Sequence, residues 1–155
     1  MNTPELDKPA PAFDLPATGE QRISLASLAG SKVILYFYPR DATPGCTTES
    51  QDFRDASEAF TAHGAIILGI SQDSVASHEK FKAKQSMPFD LLSDEQGTVC
   101  ADYDVIKLKK MYGKEFEGIE RSTFLIDDKG VLRQVWRKVK VPGHVQEVLE
   151  AVQVL

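Results

Sequence analysis

Long apolar runs alternate with apolar stripes at helical spacing in this chain, and their order predicts an α/β fold. Residues 33–38 (VILYFY) form a continuous β-branched and aromatic run, which is typical of a strand buried on both faces. Residues 65–70 (AIILGI) form a second such run. Between them, apolar residues recur at helical spacing, so a helix is expected from about 44 to 63. A strand, a helix and a strand in this order imply a right-handed parallel crossover.

The remaining segments add strands and helices to this unit. The pattern predicts a polar helix at 74–84, a short strand at 89–92, a short helix at 98–103 and a C-terminal helix from about 143. Strands at 121–126 and 131–136 flank an Asp-Asp-Lys-Gly segment, which suits a hairpin loop of four residues. The proline-rich opening, 4–16, is expected to be an extended lead-in. Together these elements predict one domain, 1–155, with a mixed sheet flanked by helices on both faces.

Composition and charge narrow the classes of function. Hydrophobic residues make up 42% of the 155 and charged residues 26%, both near the averages of globular proteins. The net charge of −5 argues against a sequence-independent grip on nucleic acid. The first residues lack a positive region followed by an apolar one, and no stretch approaches the ~18 apolar residues of a membrane span. We therefore expect a cytoplasmic protein that binds neither membranes nor nucleic acid.

Two cysteines, Cys46 and Cys100, provide neither a disulfide framework nor a set of zinc ligands. The three histidines, at positions 63, 78 and 144, have no ligand-like spacing and are expected at helix ends or on the surface. The glycines form no phosphate-binding pattern. We expect no metal and no cofactor, so the chemistry is expected to depend on a single cysteine in a special local sequence.

Cys46 follows the first buried strand and lies in the first turn of the predicted helix. With Thr43 as the N-cap, Cys46 is the third helical residue, where unpaired N–H groups and the helix dipole favour an anion. A thiolate, which is the reactive form of cysteine, is therefore stabilised there. The Thr43 hydroxyl can accept the N–H of Cys46 and also donate toward the sulfur or a bound oxygen.

Two segments resemble a known family. Pro39, Thr43 and Cys46 match the P-x-x-x-T-x-x-C motif of peroxiredoxins, within the longer segment YPRDATPGCTTE. Residues 109–127 (KKMYGKEFEGIERSTFLID) also resemble the bacterioferritin comigratory protein, or peroxiredoxin Q, subfamily. The similarity extends over nearly the whole chain in register. It implies a thioredoxin-like fold and a peroxidase that reduces hydrogen peroxide and organic hydroperoxides to water and alcohols.

The resemblance also implies a role for each matching residue. The Cys46 thiolate would attack the terminal peroxide oxygen and become a sulfenic acid. Pro39 would shield the pocket, Thr43 would hydrogen-bond the peroxide, and Arg121 would hold the thiolate and the developing oxyanion. Glu49, one helical turn after Cys46, would orient the surrounding polar network.

The chain departs from its relatives where they carry a second, resolving thiol. The two usual positions hold Gln51 and Lys82 here. Cys100 is then either a low-ranking candidate for the resolving residue or an inert buried thiol. We favour a one-cysteine monomer whose sulfenic acid is reduced by an external thiol from thioredoxin, glutaredoxin or glutathione. The alternative is a thioredoxin-fold redox sensor that uses Cys46 to signal oxidation or to bind a partner.

Overall fold

A seven-stranded mixed sheet runs through the computed structural model, which describes residues 3–155. The strand order is β2-β1-β5-β4-β3-β8-β9. The strands of this sheet are β1 (Asp14–Ala17), β2 (Gln21–Ser24), β3 (Lys32–Phe37), β4 (Ala65–Ser71), β5 (Asp90–Ser93), β8 (Ser122–Ile126) and β9 (Leu132–Trp136). β3, β4 and β5 are parallel, while β8 runs antiparallel to β3 and β1 antiparallel to β5.

Four helices cover the two faces of the sheet. They are α1 (Pro44–Ala62), α2 (Val75–Gln85), α3 (Thr98–Asp102) and α4 (His144–Gln153). Their bounds and those of the central strands lie within about one or two residues of the predicted ones, which is the usual scatter of element ends. The predicted parallel β-α-β crossover is confirmed by the parallel pairing of β3 with β4.

The side chains of β3 divide the core into two clusters, because successive residues of a strand point to opposite faces. Ile34, Tyr36 and Tyr38 pack with residues of α1, α2 and α4, and this cluster contains Cys46. Val33, Leu35 and Phe37 pack with the other cluster, which includes residues of α3 and the N-terminal segment. Each strand residue therefore contributes to one of two separate apolar layers.

Two pairs of strands were not predicted. The end of the opening segment, expected as an extended lead-in, forms β1, which pairs with β2 as an antiparallel hairpin and extends the sheet beyond β5. A second hairpin, β6 (Ile106–Met111) with β7 (Lys114–Ile119), stands apart from the main sheet. Its turn is Tyr112-Gly113, with both φ angles positive. Alternating lysines and glutamates give this ribbon little apolar contrast between its faces, which hid it in the sequence.

The predicted β8–β9 hairpin is present, but its loop is longer than expected. β9 begins at Leu132, not at Val131, and the register shifts between Leu125 and Ile126. The Asp127 carboxylate accepts hydrogen bonds from the backbone N–H groups of Lys129 and Val131. These bonds close the turn within the loop, and Val131, whose carbonyl accepts from the backbone N–H of Asp127, also forms an isolated bridge with Pro9.

Gly69 in β4 is required by the packing of the core, which generates a prediction of stability. A Cβ atom at Gly69 would lie 2.7 Å from Leu91 Cδ2 and 2.8 Å from Tyr36 Cζ, both of them buried. We expect Gly69→Ala to lower the free energy of unfolding by about 1–3 kcal/mol, the usual cost of overpacking. Urea denaturation measures it. Gly118→Ala in β7 is the control, since its nearest contact would be an ordinary 3.4 Å; equal effects of the two changes would contradict the packing argument.

Candidate active site

The first turn of α1 follows the end of β3 and carries Cys46 as its third residue. Thr43 is the N-cap, with extended backbone angles (φ −78°, ψ 154°), and Pro44 fills the first helical position. Proline suits this position because its fixed φ matches the helix and its missing N–H would be unpaired anyway. The predicted placement of Cys46 at a helix start is confirmed.

Arg121 connects the sulfur of Cys46 to a carboxylate. Its Nη2 donates to Cys46 Sγ at 3.3 Å, and its Nη1 donates to Glu49 Oε1 at 2.7 Å. Arg121 immediately precedes β8, whose first residue, Ser122, lies opposite Phe37 at the end of β3. Antiparallel pairing therefore brings Arg121 close to the C-terminal end of β3, after which α1 starts. Cys46 and Glu49 are buried, and the Arg121 side chain is only 16% exposed.

Glu49 lies one helical turn after Cys46, with its carboxyl group fully buried. Burial raises the pKa of Glu49 to about 7 although the neighbouring guanidinium of Arg121 favours its ionised form. Its Oε2 has no hydrogen-bond partner among residues 3–155. The carboxyl group thus holds Arg121 through one oxygen and keeps an unused acceptor inside the site.

Thr43 does not make the cap hydrogen bond that the sequence predicted. Its hydroxyl donates to the carbonyl of Arg40 at 2.9 Å, and its side chain makes no bond to the helix N–H groups. The intervening Ala42 has φ 62°, so the chain makes a tight left-handed turn between Arg40 and Thr43. The turn directs the Thr43 hydroxyl back to Arg40, which explains the failed prediction and leaves the oxygen's lone pairs free to accept.

Gly45 is a site residue that the sequence analysis missed. A Cβ atom at this position would lie 3.1 Å from Arg121 Nη2, the atom that donates to Cys46. The absence of a side chain therefore lets the guanidinium lie close over the first turn of α1. The glycine directly before the cysteine was the available signal in the sequence, but the reason for it is the contact with Arg121, which is distant along the chain.

Pro39, in the loop between β3 and α1, is half-buried.

Cys100 lies on the other side of the sheet from Cys46. It is buried in α3, within the apolar layer formed by Val33, Leu35 and Phe37. Burial, followed by a hydrogen bond with Asp94, raises the pKa of the Cys100 thiol far above its ordinary value. The two positions at which the family resemblance led us to look for a second thiol lie in α1 and α2, and their occupants are hydrogen-bonded: Gln51 to Gln85, and Lys82 to Asp90.

Two of the three histidines, His63 and His144, lie at helix ends as expected, but His78 lies inside α2. His63 is exposed at the end of α1, but His78 and His144 are buried. Burial, with Arg121 nearby, lowers the pKa of His144 to about 4, so this ring is neutral at pH 7 and hydrogen-bonds the Thr123 hydroxyl. The buried rings of His78 and His144 are both hydrogen-bonded inside the protein, which the spacing of apolar residues along the chain does not reveal.

One cluster of side chains within residues 3–155 has the composition of a metal site. Potential ligand atoms of Asp41, Asp73 and His78 lie within 4.8 Å of one another. Both ring nitrogens of His78 are already hydrogen-bonded, one to Asp41 and one to the carbonyl of Leu92. Because no ring nitrogen has a free lone pair, the cluster is a hydrogen-bond network in this arrangement.

Comparison with known proteins identifies the class to which this fold and site belong. Residues 6–135 match the model of the AhpC/TSA family, and the chain belongs to that family. It is a thiol-dependent peroxidase with a thioredoxin-like fold, as its sequence predicted, and it takes a peroxide substrate and a thiol reductant. No helix in the described part of the chain is both long and apolar enough to cross a membrane.

Its relatives also confirm the predicted subfamily. The chain is 50% identical over 155 residues to Peroxiredoxin Bcp of Xanthomonas campestris, covering 99% of this chain and 97% of that protein. It is 48% identical over 151 residues to Peroxiredoxin Bcp of Bacillus subtilis, covering 97% and 96%. A solved structure of the Xanthomonas campestris bacterioferritin comigratory protein, studied for its alkyl peroxide reduction activity, matches with a TM-score of 0.88 at 48% identity, covering 92% of this chain and 90% of that one.

The close approach of Gly45 to Arg121 generates a prediction of activity. Gly45→Ala should move the guanidinium away from Cys46 Sγ and slow the reaction with hydrogen peroxide by about tenfold, less than the roughly 10²–10³-fold that complete removal of a positioned donor costs. Alanine favours a helix over glycine, so the free energy of unfolding should not fall. Stopped-flow kinetics and urea denaturation measure the two. Glu58→Ala, an exposed change in the same helix, is the control; a wild-type rate for Gly45→Ala would contradict the prediction.

Proposed function

We propose that Cys46 is the peroxidatic nucleophile of this enzyme. The observation that carries the proposal is the 3.3 Å contact from Arg121 Nη2 to a sulfur at the start of α1. A guanidinium donor and the positive end of a helix both stabilise negative charge on that sulfur. Cys100, the other thiol, lies in an apolar layer where a thiolate is strongly disfavoured.

The thiolate attacks the terminal oxygen of the hydroperoxide. A sulfur–oxygen bond forms as the oxygen–oxygen bond breaks, and the sulfur supplies the two electrons. Hydroxide or alkoxide departs and takes up a proton to become water or an alcohol, while Cys46 becomes a sulfenic acid. Negative charge thus moves from the sulfur to the leaving oxygen, so the site must stabilise both positions.

Four further residues act in this step. Arg121 holds the thiolate and then the leaving oxygen, because its planar group offers several donors at fixed angles. Glu49 fixes that guanidinium through the 2.7 Å bond. Thr43 donates to Arg40, so its oxygen accepts the O–H of the incoming peroxide. Pro39, half-buried beside the loop, shields the sulfur from water.

We further propose that turnover needs only one cysteine of this chain. Cys46 and Cys100 pack on opposite faces of the sheet, and a disulfide requires Cα atoms within about 7 Å. Gln51 and Lys82 occupy the two positions where relatives carry the second thiol. The sulfenic acid is then reduced by an external thiol through a mixed disulfide.

Thioredoxin, glutaredoxin and glutathione are the proposed sources of that thiol. The cytoplasm is the proposed location, because these systems keep thiols reduced there. We propose that one domain of one chain is the working unit. Cys46, Thr43, Glu49 and Arg121 all come from the same chain and already contact one another or adjoin the same loop.

Replacing each cysteine separately tests the nucleophile. Cys46→Ser should reduce the reaction with hydrogen peroxide to the uncatalysed level, since serine is a far weaker nucleophile at neutral pH. Cys100→Ala, which leaves no unpaired hydroxyl in the core, should keep a rate within about twofold of wild type. Stopped-flow rates with purified protein decide it. Single-turnover reduction by Cys46→Ser would exclude Cys46 as the nucleophile, and rapid oxidation of Cys46 without steady-state turnover in any of the three reductant systems would favour the sensor.

Trapping the oxidised protein tests the one-cysteine cycle. After one equivalent of peroxide in the presence of dimedone, mass spectrometry should find the adduct on Cys46, because no internal thiol competes for the sulfenic acid. Excess peroxide should progressively convert Cys46 to the sulfinic form and inactivate the enzyme. Cys100→Ala should give the same products. A stoichiometric Cys46–Cys100 disulfide that forms faster than the adduct would instead make Cys100 the resolving residue.

A further inference from the structure

A buried polar network lies beside the loop that precedes Cys46, and no step of the peroxidase reaction uses it. Its centre is the side chain of Asp41, which is only 4% exposed. Asp41 Oδ1 accepts from Tyr38 at 2.6 Å, and Oδ2 accepts from Ser77 at 2.8 Å. His78 Nδ1 lies 2.7 Å from the same Oδ2. The network ties the loop to the end of β3 and to α2.

The hydrogen-bond partners of His78 define the role of each ring nitrogen. Burial of the Asp41 carboxyl group opposes ionisation, but hydrogen bonds from His78, Tyr38 and Ser77 outweigh it and hold the pKa of Asp41 below its ordinary value. Nδ1 therefore faces a carboxylate, and Nε2 faces the carbonyl oxygen of Leu92 at 2.9 Å. Both partners can only accept, so both ring nitrogens carry protons. The ring and Asp41 form a buried ion pair.

The loop held by this pair is strained. Ala42, the residue after Asp41, has φ 62°, a conformation that an L-residue with a Cβ adopts only when its surroundings impose it. On one side the turn is held by the Thr43 bond to Arg40. Before Ala42, the backbone N–H of Asp41 donates to the Asp73 carboxylate at 2.8 Å, and the Asp41 side chain pairs with His78. These contacts set where α1 begins.

We propose that the doubly protonated ring of His78 is a positioning group for Cys46: by pairing with Asp41 it holds the strained 40–43 turn, and through it the start of α1 and the sulfur. His78 does not touch the reacting atoms. The inference deepens the proposed function and rests on Cys46 as the nucleophile. Its chemical basis is that a buried carboxylate without its cationic partner draws in water or changes its geometry.

The role of His78 predicts which reactions of Cys46 suffer when it is replaced. Reduction of peroxide needs the sulfur, the Thr43 hydroxyl and the Arg121 guanidinium in register, whereas alkylation by iodoacetamide needs only a nucleophilic sulfur. A displacement of the first turn of α1 should therefore slow the peroxide reaction much more than alkylation. A purely structural role would lower the free energy of unfolding and leave both rates of the folded protein unchanged.

The experiment compares His78→Asn and His78→Leu with the wild type. Asparagine keeps a donor for Asp41 but loses the bond to Leu92, and leucine loses both. We expect the rate with hydrogen peroxide to fall by about tenfold or more for His78→Asn, with alkylation changed by less than about threefold. The rate with hydrogen peroxide should fall further for His78→Leu if that variant folds. If it does not fold, the comparison of His78→Asn with the wild type decides the question. His63→Asn, an exposed histidine at the end of α1, is the control.

Two outcomes would overturn the proposal. One is a folded His78→Asn protein whose peroxide rate lies within twofold of wild type, or whose two rates fall together. The other is an NMR spectrum of the wild type at pH 7 in which the His78 ring has one unprotonated nitrogen. Cys46→Ser, assayed alongside, separates these results from a failure of the proposed function, because its retained activity would show that the nucleophile itself is wrong.

Discussion

The guanidinium group of Arg121 joins parts of the chain that are far apart in sequence, and the geometry of the site depends on it. One of its nitrogens faces the sulfur of Cys46 and another faces the carboxylate of Glu49. The pairing of β8 with β3 brings it there. A cation placed between a sulfur and a carboxyl group in a nearly dry site stabilises negative charge that burial would otherwise disfavour. The packing of the sheet is thus what brings a positive charge to the sulfur of Cys46.

The local environment of Cys46 could be predicted from sequence because its determinants are close together along the chain. A strand buried on both faces, Thr43 as N-cap and Pro44 at the first helical position locate the helix start to the residue. Arg121 was predicted only through resemblance, since nothing in its own neighbourhood indicates that it meets Cys46. The hydrogen bond of the Thr43 hydroxyl was predicted wrongly because the left-handed turn before it lies at Ala42, and no glycine marks that turn in the sequence.

The elements that escaped prediction share a physical cause. The strands β1 and β2 have only four residues each, and β7 is exposed along most of its length, so the alternation that indicates a strand is too short or too weak to recognise. Gly45 and His78 are likewise defined by partners that the fold brings near, namely Arg121 and Asp41. Patterns along the chain report burial, but they do not report which buried group faces which.

The division of the core by the sheet places the two thiols of the molecule in separate surroundings. Seven hydrogen-bonded strands and an apolar layer on each side separate the thiol of α3 from that of α1. The sheet and its two apolar layers act as a physical barrier: a peroxide or thiol that reaches the α1 sulfur cannot pass to α3 through the close-packed side chains between them. New chemistry, such as an added thiol on α1 or α2, can therefore arise on one side without disturbing the packing on the other.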